Sequence, residues 1–431
     1  MRPRDMLVTR SGELGGRITV PGSKSETHRS LELAALADGR STLLNCLESE
    51  DTLSTLEALR LFGIKIDRED DRTVVEGSAG SLSSPPGPID LGNSGTSLRF
   101  LTTLAGLARG RVILTGDESL RSRPMTPLME CLGTIGVEAR SVGESGTAPI
   151  EVHGRGSIDG GEGSVSGSVS SQFISSLLIP SPYFERGLRL SVVGDLISAP
   201  YVDLTVEMMA SFGVEVVIDK GTYCVGPGPG YRAGKFRVGG DYSSAAFPMS
   251  AAAITGSCIE VDGLREGSHQ ADEAFLGILE RMGCSVERVG ETVRVEGGEL
   301  TGIDVDLSDS PDLLPPVSVV ASLASGPSVI SGVEHARLKE SDRIESIFRE
   351  LRRIGIRVEQ RIDGLSFQGD GRPRGKEVFS RGDHRLAMAL AVLGLATDGL
   401  VVRGASCFNV SYPDFYRDMV ALGARFAWVQ V

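Results

Sequence analysis

One phrase recurs six times along this sequence and limits the fold more than any other feature. It is an apolar helix closed by glycine, a short β-branched strand, a turn and another strand. The copies run ALRLFGIKI into TVVEG, ECLGTIGVEA into IEVHG, MMASFGVEV into YCVGPG, LERMGCSVE into VRVEGG, LRRIGIRVE into LSFQG, and finally MVALGARFAWV. The closing glycines are Gly63, Gly136, Gly213, Gly283, Gly355 and Gly423, about 70 residues apart, each where a helix C-terminus favours a left-handed residue. Every copy also opens alike, on a small polar cluster before an apolar helical run, as in GNSGTSLRFLTTLAGLARGRVILTG. The repeated unit is therefore a two-helix, several-strand α/β module.

The last copy stops at FAWVQV, before the closing strand that the other five possess. We expect the start of the chain, MLVTRSGELGGRITV, to complete it. That places residues 1–20 with 240–431 in one three-unit domain and residues 21–239 in another, with two hinge crossovers near 20–22 and 239–241. A chain of 431 residues is long enough for two ordinary cores, in keeping with this division.

Asp and Glu outnumber Lys and Arg by 57 to 44, and no basic run stands out, so nucleic acid and anionic membranes are not expected partners. No segment reaches the roughly 20 apolar residues that span a bilayer, and the N-terminus lacks the apolar stretch of a signal peptide, which predicts the cytoplasm. The six cysteines are scattered singly, without zinc or redox spacing, and are expected to be buried thiols.

Polar clusters that open helices are places where anions bind, because the first turn carries unpaired N–H groups and partial positive charge. In PGSKSETHRS, Lys24, Ser25 and Arg29 suit a phosphate or carboxylate, and an N-cap with solvated cations would look the same. The spacing is not that of a P-loop. In LGNSGTSLR, Gly92 and Gly95 let backbone approach a ligand while Asn93, Thr96 and Arg99 offer hydrogen bonds and charge; DESLRSRP adds Arg121 and Arg123, suited to forked recognition of an anion or to a solvated surface. SVSSQF brings Ser170, Ser171 and Gln172, and LISAPY brings Ser198 and Tyr201, with simple serine capping as the plainer account.

SPDLLPP and HARLKESDR combine Asp312, His335, Lys339, Glu340, Asp342 and Arg343, a mixture fit for moving protons or for exposed helical ion pairs. RGDHRLAM adds Asp383, His384 and Arg385 at another helix start. These residues fall at equivalent places in five of the copies, which favours one site for a small substrate bearing phosphate and carboxylate groups. Without paired Cys or clustered His, no transition metal is expected.

Together PGSKSxxxR, LGNSGT, RSRP, SVSSQF, PD, LKESDR and DHR resemble the motif set of the 5-enolpyruvylshikimate-3-phosphate synthase family over almost the entire chain. The resemblance implies two similar domains, each of three βαβαββ-type units in an inside-out α/β barrel, closing round shikimate-3-phosphate and phosphoenolpyruvate in an interdomain cleft. It implies shikimate-3-phosphate contacts at Lys24, Ser25, Arg29, Ser170, Ser171, Gln172, Ser198, Tyr201, Asp312, His335 and Lys339. For phosphoenolpyruvate it implies Lys24, Asn93, Gly95, Thr96, Arg123, Gln172, Arg343, His384 and Arg385. Asp312, Glu340 and Lys24 become the candidates for proton transfer, in an addition–elimination that needs no metal or organic cofactor. A monomer is expected.

Two positions depart from the family pattern: His335 stands where members often have Asn, and Val410 where many have a phosphate-binding Lys. Related UDP-N-acetylglucosamine enolpyruvyl transferases place a reactive Cys on the loop before the arginine. Here that loop reads GDESLRSRP, and Cys131 falls inside the following helix pattern. A catalytically inactive anion-binding homologue is the alternative from another class; retention of Lys24, Asp312, Glu340 and Arg385 argues against it.

Overall fold

The computed structural model of the chain describes residues 4–69, 71–143 and 145–429; residues 1–3 and 430–431, assigned above to the second domain, lie outside them. Two compact units emerge, one of Gly22–Val238 and the other of the segment ending at Pro21 with the chain from Gly239 onward. Each has its own hydrophobic core and three four-stranded sheets.

All six sheets follow one plan, seen plainly in the second repeat. Ile89–Asp90 lies parallel to Arg109–Thr115, which pairs antiparallel with Ile150–Arg155, and that strand pairs antiparallel with Glu138–Ser141. The parallel pair needs a crossover, supplied by the helix Gly95–Leu104; the helix Thr126–Thr134 then leads into the hairpin. Each second helix ends at one of the six repeat glycines, whose φ angles are 90°, 88°, 90°, 102°, 91° and 100° in chain order. A side chain at any of them would be strained, which is why the glycines mark the repeat so clearly.

Chain ends complete two of the sheets. Met6–Thr9 inserts between Leu400–Arg403 and Arg425–Trp428, antiparallel to both, and so supplies the strand missing from the last repeat. The expectation that the whole N-terminal segment serves that repeat needs correction, because Gly15–Thr19 runs parallel to Cys258–Asp262 and opens the fourth sheet instead. Between the two strands the chain turns at RSGEL, with Leu14 buried, and Gly16 inside the second strand takes a φ of 113°, so the segment reads as two short strands. In the other unit Lys235–Arg237 comes back to pair with Arg40–Leu44 and gives the first repeat its opening strand.

Helices with apolar residues all round belong inside, and amphipathic ones at the boundary. Tyr242–Thr255, Leu314–Leu323 and His384–Gly394 accordingly pack on one another and are buried over nearly their whole length. Arg343–Arg353 keeps a polar outer face. In the unit Gly22–Val238, Gly95–Leu104 packs on Ser171–Leu178, and Lys24–Leu36 is also largely buried. The strands lie outside these helices and alternate buried with part-exposed residues, as Cys258–Asp262 does.

Candidate functional site

The starts of the buried helices gather the polar residues in each unit. Ser23, Ser94 and Ser170 are the N-caps of Lys24–Leu36, Gly95–Leu104 and Ser171–Leu178, their hydroxyls accepting from Glu26, Ser97 and Gln172 backbone N–H groups. Serine capping is thus real for Ser170, while Ser25, Thr96 and Ser171 stand within the first turn that the caps leave.

Arg29 is buried and makes four hydrogen bonds. Its Nε donates to Thr205 Oγ1 at 2.8 Å, Nη1 to the Ser25 carbonyl at 3.0 Å, and Nη2 to Ser175 Oγ at 3.2 Å and the Tyr201 carbonyl at 2.9 Å. Burial draws the guanidinium down to about 10, so it stays charged at neutral pH. Lys24 Nζ meets Asp51 Oδ2 at 2.8 Å. Beside them His28 Nδ1 is hydrogen-bonded to Thr55 at 2.8 Å, and Thr55 to Ser97 at 2.6 Å; these contacts tie three helix starts together. Burial drops His28 to about 3 and keeps it neutral.

The second helix start is pressed against arginines. Arg123 is buried and its Nη2 donates to Asn93 Oδ1, while Asn93 Nδ2 donates to Asp117 at 2.7 Å. A Cβ on Gly95 would lie 2.5 Å from Arg123 Nη1 and 3.1 Å from Arg99 Nη1, so the glycine leaves the backbone open to both guanidinium groups. Gln172 donates to Thr96 at 3.0 Å and accepts from Arg99 at 2.5 Å, linking the third helix start to the second. Ser198 is buried with a φ of 53°, and Tyr201 lies half-buried in the first turn of Pro200–Ser211.

In the other unit one carboxylate collects three cations. Asp312 Oδ1 meets Lys339 Nζ at 2.8 Å and Arg343 Nη1 at 2.6 Å, and Oδ2 meets Arg385 Nη2 at 2.9 Å. Burial alone would raise its pKa, but Arg385, Lys339 and Arg343 outweigh that and hold Asp312 well below the usual carboxylate range. Arg343 is buried and joins three carboxylates, adding Glu340 at 2.6 Å and Asp383 at 2.8 Å to Asp312. Asp383 also caps His384–Gly394 by accepting from the Arg385 and Leu386 backbone N–H groups, so the third helix start and the cation cluster share one anchor. His384 is buried at the head of that helix. His335 is pushed down to about 4 by burial and then by Lys339, and is therefore neutral.

Most residues singled out in the sequence lie in one of these two sets, each within its own unit; Arg121 does not, being exposed and donating to Thr115 Oγ1 at 3.2 Å, and Asp342 caps Arg343–Arg353 and pairs with Arg337 at 2.8 Å. Sequence reasoning missed Asp51, which sits at an ordinary acidic helix start, and named Asp383 without the buried ion pair it makes with Arg343. Asp272 is buried near Arg385, Asp312 and Asp241; burial, and next Asp312, raise it to about 6. Nothing local marks it, since its neighbours come from repeats far along the chain. Cys131 and Cys284 are buried as expected, but the other four cysteines are only partly so. The Cys131 thiol is pushed up to about 11 by burial, which leaves no thiolate at neutral pH. Val410 is half-buried at the end of a short 3-10 helix, Ala405–Val410.

The family model described as EPSP synthase (3-phosphoshikimate 1-carboxyvinyltransferase) matches residues 8–419. A 3-phosphoshikimate 1-carboxyvinyltransferase of Methanothermobacter thermautotrophicus is 48% identical over 98% of this chain and 99% of its own. Another, from Methanosarcina mazei, is 42% identical over 95% and 96%. Among solved structures, an EPSP synthase from Acinetobacter baumannii superposes with a TM-score of 0.83 at 27% identity, covering 99% of this chain and all of that one. The chain belongs to the EPSP synthase (3-phosphoshikimate 1-carboxyvinyltransferase) family.

Proposed function

We propose that the chain transfers the enolpyruvyl group of phosphoenolpyruvate to the 5-hydroxyl of shikimate-3-phosphate and releases phosphate. The observation that carries this reading is the Asp312 carboxylate shared by Lys339, Arg343 and Arg385, a proton acceptor set among cations that can hold anionic substrates. In that state Asp312 is ionised but weakly basic. Anionic ligands compete for Lys339 and Arg385, and each cation drawn away raises its basicity, so the base strengthens as substrates bind.

The hydroxyl then loses its proton and adds to C2 while C3 gains one, and the tetrahedral adduct expels phosphate as C3 gives up a proton, which restores the C2–C3 double bond of the enolpyruvyl ether. Glu340 and Lys24 are the proton donors or relays in this account, and Arg123, Arg343 and Arg385 stabilise phosphate charge. Lys24, Ser25, Arg29, Ser170, Ser171, Gln172, Ser198, Tyr201, His335 and Lys339 hold shikimate-3-phosphate. Asn93, Gly95, Thr96 and His384 join Lys24, Gln172 and the arginines on phosphoenolpyruvate. His335, held neutral, offers a donor and an acceptor as the Asn of other members does, so the replacement keeps the polar contact without adding charge. The two units serve one reaction as the enzyme's two domains, acting as a cytoplasmic monomer without nucleic-acid partners.

Incubation with phosphoenolpyruvate and each acceptor in turn, followed by mass spectrometry of the products, tests the assignment. An enolpyruvyl ether of shikimate-3-phosphate is expected. Transfer to UDP-N-acetylglucosamine alone would overturn it.

A further inference from the structure

Outside the residues used above, the loop 369–376 and the end of the helix Arg343–Arg353 line an open groove of about 840 Å³. Six cations line it, Arg352, Arg353, Arg357, Arg372, Arg374 and Lys376, against one carboxylate, Asp370. Such a concentration is unexpected in a chain with a formal net charge of −13. Arg353 is engaged with Glu350 at 3.2 Å. The other five have no carboxylate within 4.0 Å among the described residues.

A helix C-terminus favours nearby cations, which accounts for Arg352 and Arg353. It does not account for Arg357 on the far side of the turn, nor for Arg372, Arg374 and Lys376 on the loop. Backbone hydrogen bonds fix that loop: Arg374 N–H donates to the Ile354 carbonyl at 2.8 Å, Asp370 N–H to Ala324 at 2.8 Å, and Val401 N–H to the Lys376 carbonyl at 3.0 Å. The cations thus stand on a frame held in place before any ligand arrives; Arg352 and Arg353 lie over the Phe348 and Phe379 rings, and the whole set presents a concentrated positive field to an anion.

We propose that this groove is a second anion site, separate from the catalytic residues, for a compact multianion of the polyphosphate class. Guanidinium forks match phosphate oxygens in pairs, and the volume lies in the range of small-molecule sites. No aromatic side chain lines the groove to stack a base, and the chain's overall negative charge disfavours a long polyanion, so the occupant is a phosphate chain and not a nucleic acid.

Titration calorimetry with inorganic tripolyphosphate at about 0.1 M salt tests this on the full chain. Arg357→Ala/Arg374→Ala and, separately, Arg372→Ala/Lys376→Ala are expected to weaken binding at least tenfold, with enolpyruvyl transfer and Tm unchanged because these side chains are exposed. A nucleoside triphosphate should bind within a few-fold of tripolyphosphate. Equal tripolyphosphate affinity in wild type and both variants would place the ion elsewhere and overturn the proposal. Binding of the nucleoside triphosphate or of a short duplex more than tenfold tighter would overturn the ligand class.

Discussion

Glu32 lies on the helix that opens with Lys24, one turn beyond Arg29, and is 1% exposed with neither carboxylate oxygen hydrogen-bonded. Burial raises it from the ordinary 4.5 to about 8, with Arg29 opposing only in part, so the folded chain carries it protonated at neutral pH. Below pH 4.5 the folded and unfolded chains both hold the proton. Between 4.5 and about 8 only the folded chain does, so this group makes stability fall as pH rises, until both states are ionised. The full loss has a ceiling of about 5 kcal/mol. Glu32→Gln removes the titration and keeps the shape, at a cost of about 1–3 kcal/mol for an unpaired buried amide. Urea unfolding of both proteins from pH 5 to pH 9 should therefore show the variant no better at pH 5 and gaining about 3–4 kcal/mol on wild type by pH 9. An ionised Glu32 would also compete for Arg29, so the Michaelis constant for shikimate-3-phosphate should rise above pH 8 in wild type alone. Parallel stability profiles across this range would refute the reasoning, since they would mean that Glu32 is solvated or paired in the folded state.

Gly95→Ala would push the flexible end of Arg123 aside rather than disturb the backbone, so the Michaelis constant for phosphoenolpyruvate should rise at least tenfold in steady-state kinetics, with Tm nearly unchanged. Asp383→Asn keeps an effective helix cap but leaves buried Arg343 with two carboxylates in place of three; urea unfolding should show a loss of about 1.5–3 kcal/mol. Val410 leaves the phosphoenolpyruvate site one cation short of the family pattern, so Val410→Lys should add a charge-assisted contact worth about 1.5–3 kcal/mol and lower the Michaelis constant for phosphoenolpyruvate; an unchanged value would count against this reading.

The repeat was legible because its signals are local. A positive φ at Gly63 or Gly355 selects glycine by itself, and an apolar run such as LAMALAVLG marks a helix whatever surrounds it. Strand partners were less so. Gly15–Thr19 joins a sheet whose nearest member lies more than 200 residues on, and only the closure of three repeats into one unit decides that pairing. The cationic motifs were readable as helix starts, but the carboxylates that set their charge were not. Asp51 and Asp383 look like any acidic cap, and Asp272 owes its perturbation to groups that reach it from other repeats. Glu32 sits in a helix whose composition gives no hint that its carboxyl is dry.

Phosphate release in the presence of phosphoenolpyruvate and shikimate-3-phosphate, each omitted in turn, and repeated with Asp312→Asn, tests the central claim most directly. The account predicts release only when both substrates are present, with one enolpyruvyl ether formed per phosphate, and a fall in turnover of about 10²–10⁴-fold in the variant as its general base is lost. Release from phosphoenolpyruvate alone, or substrate binding without any release, would contradict it.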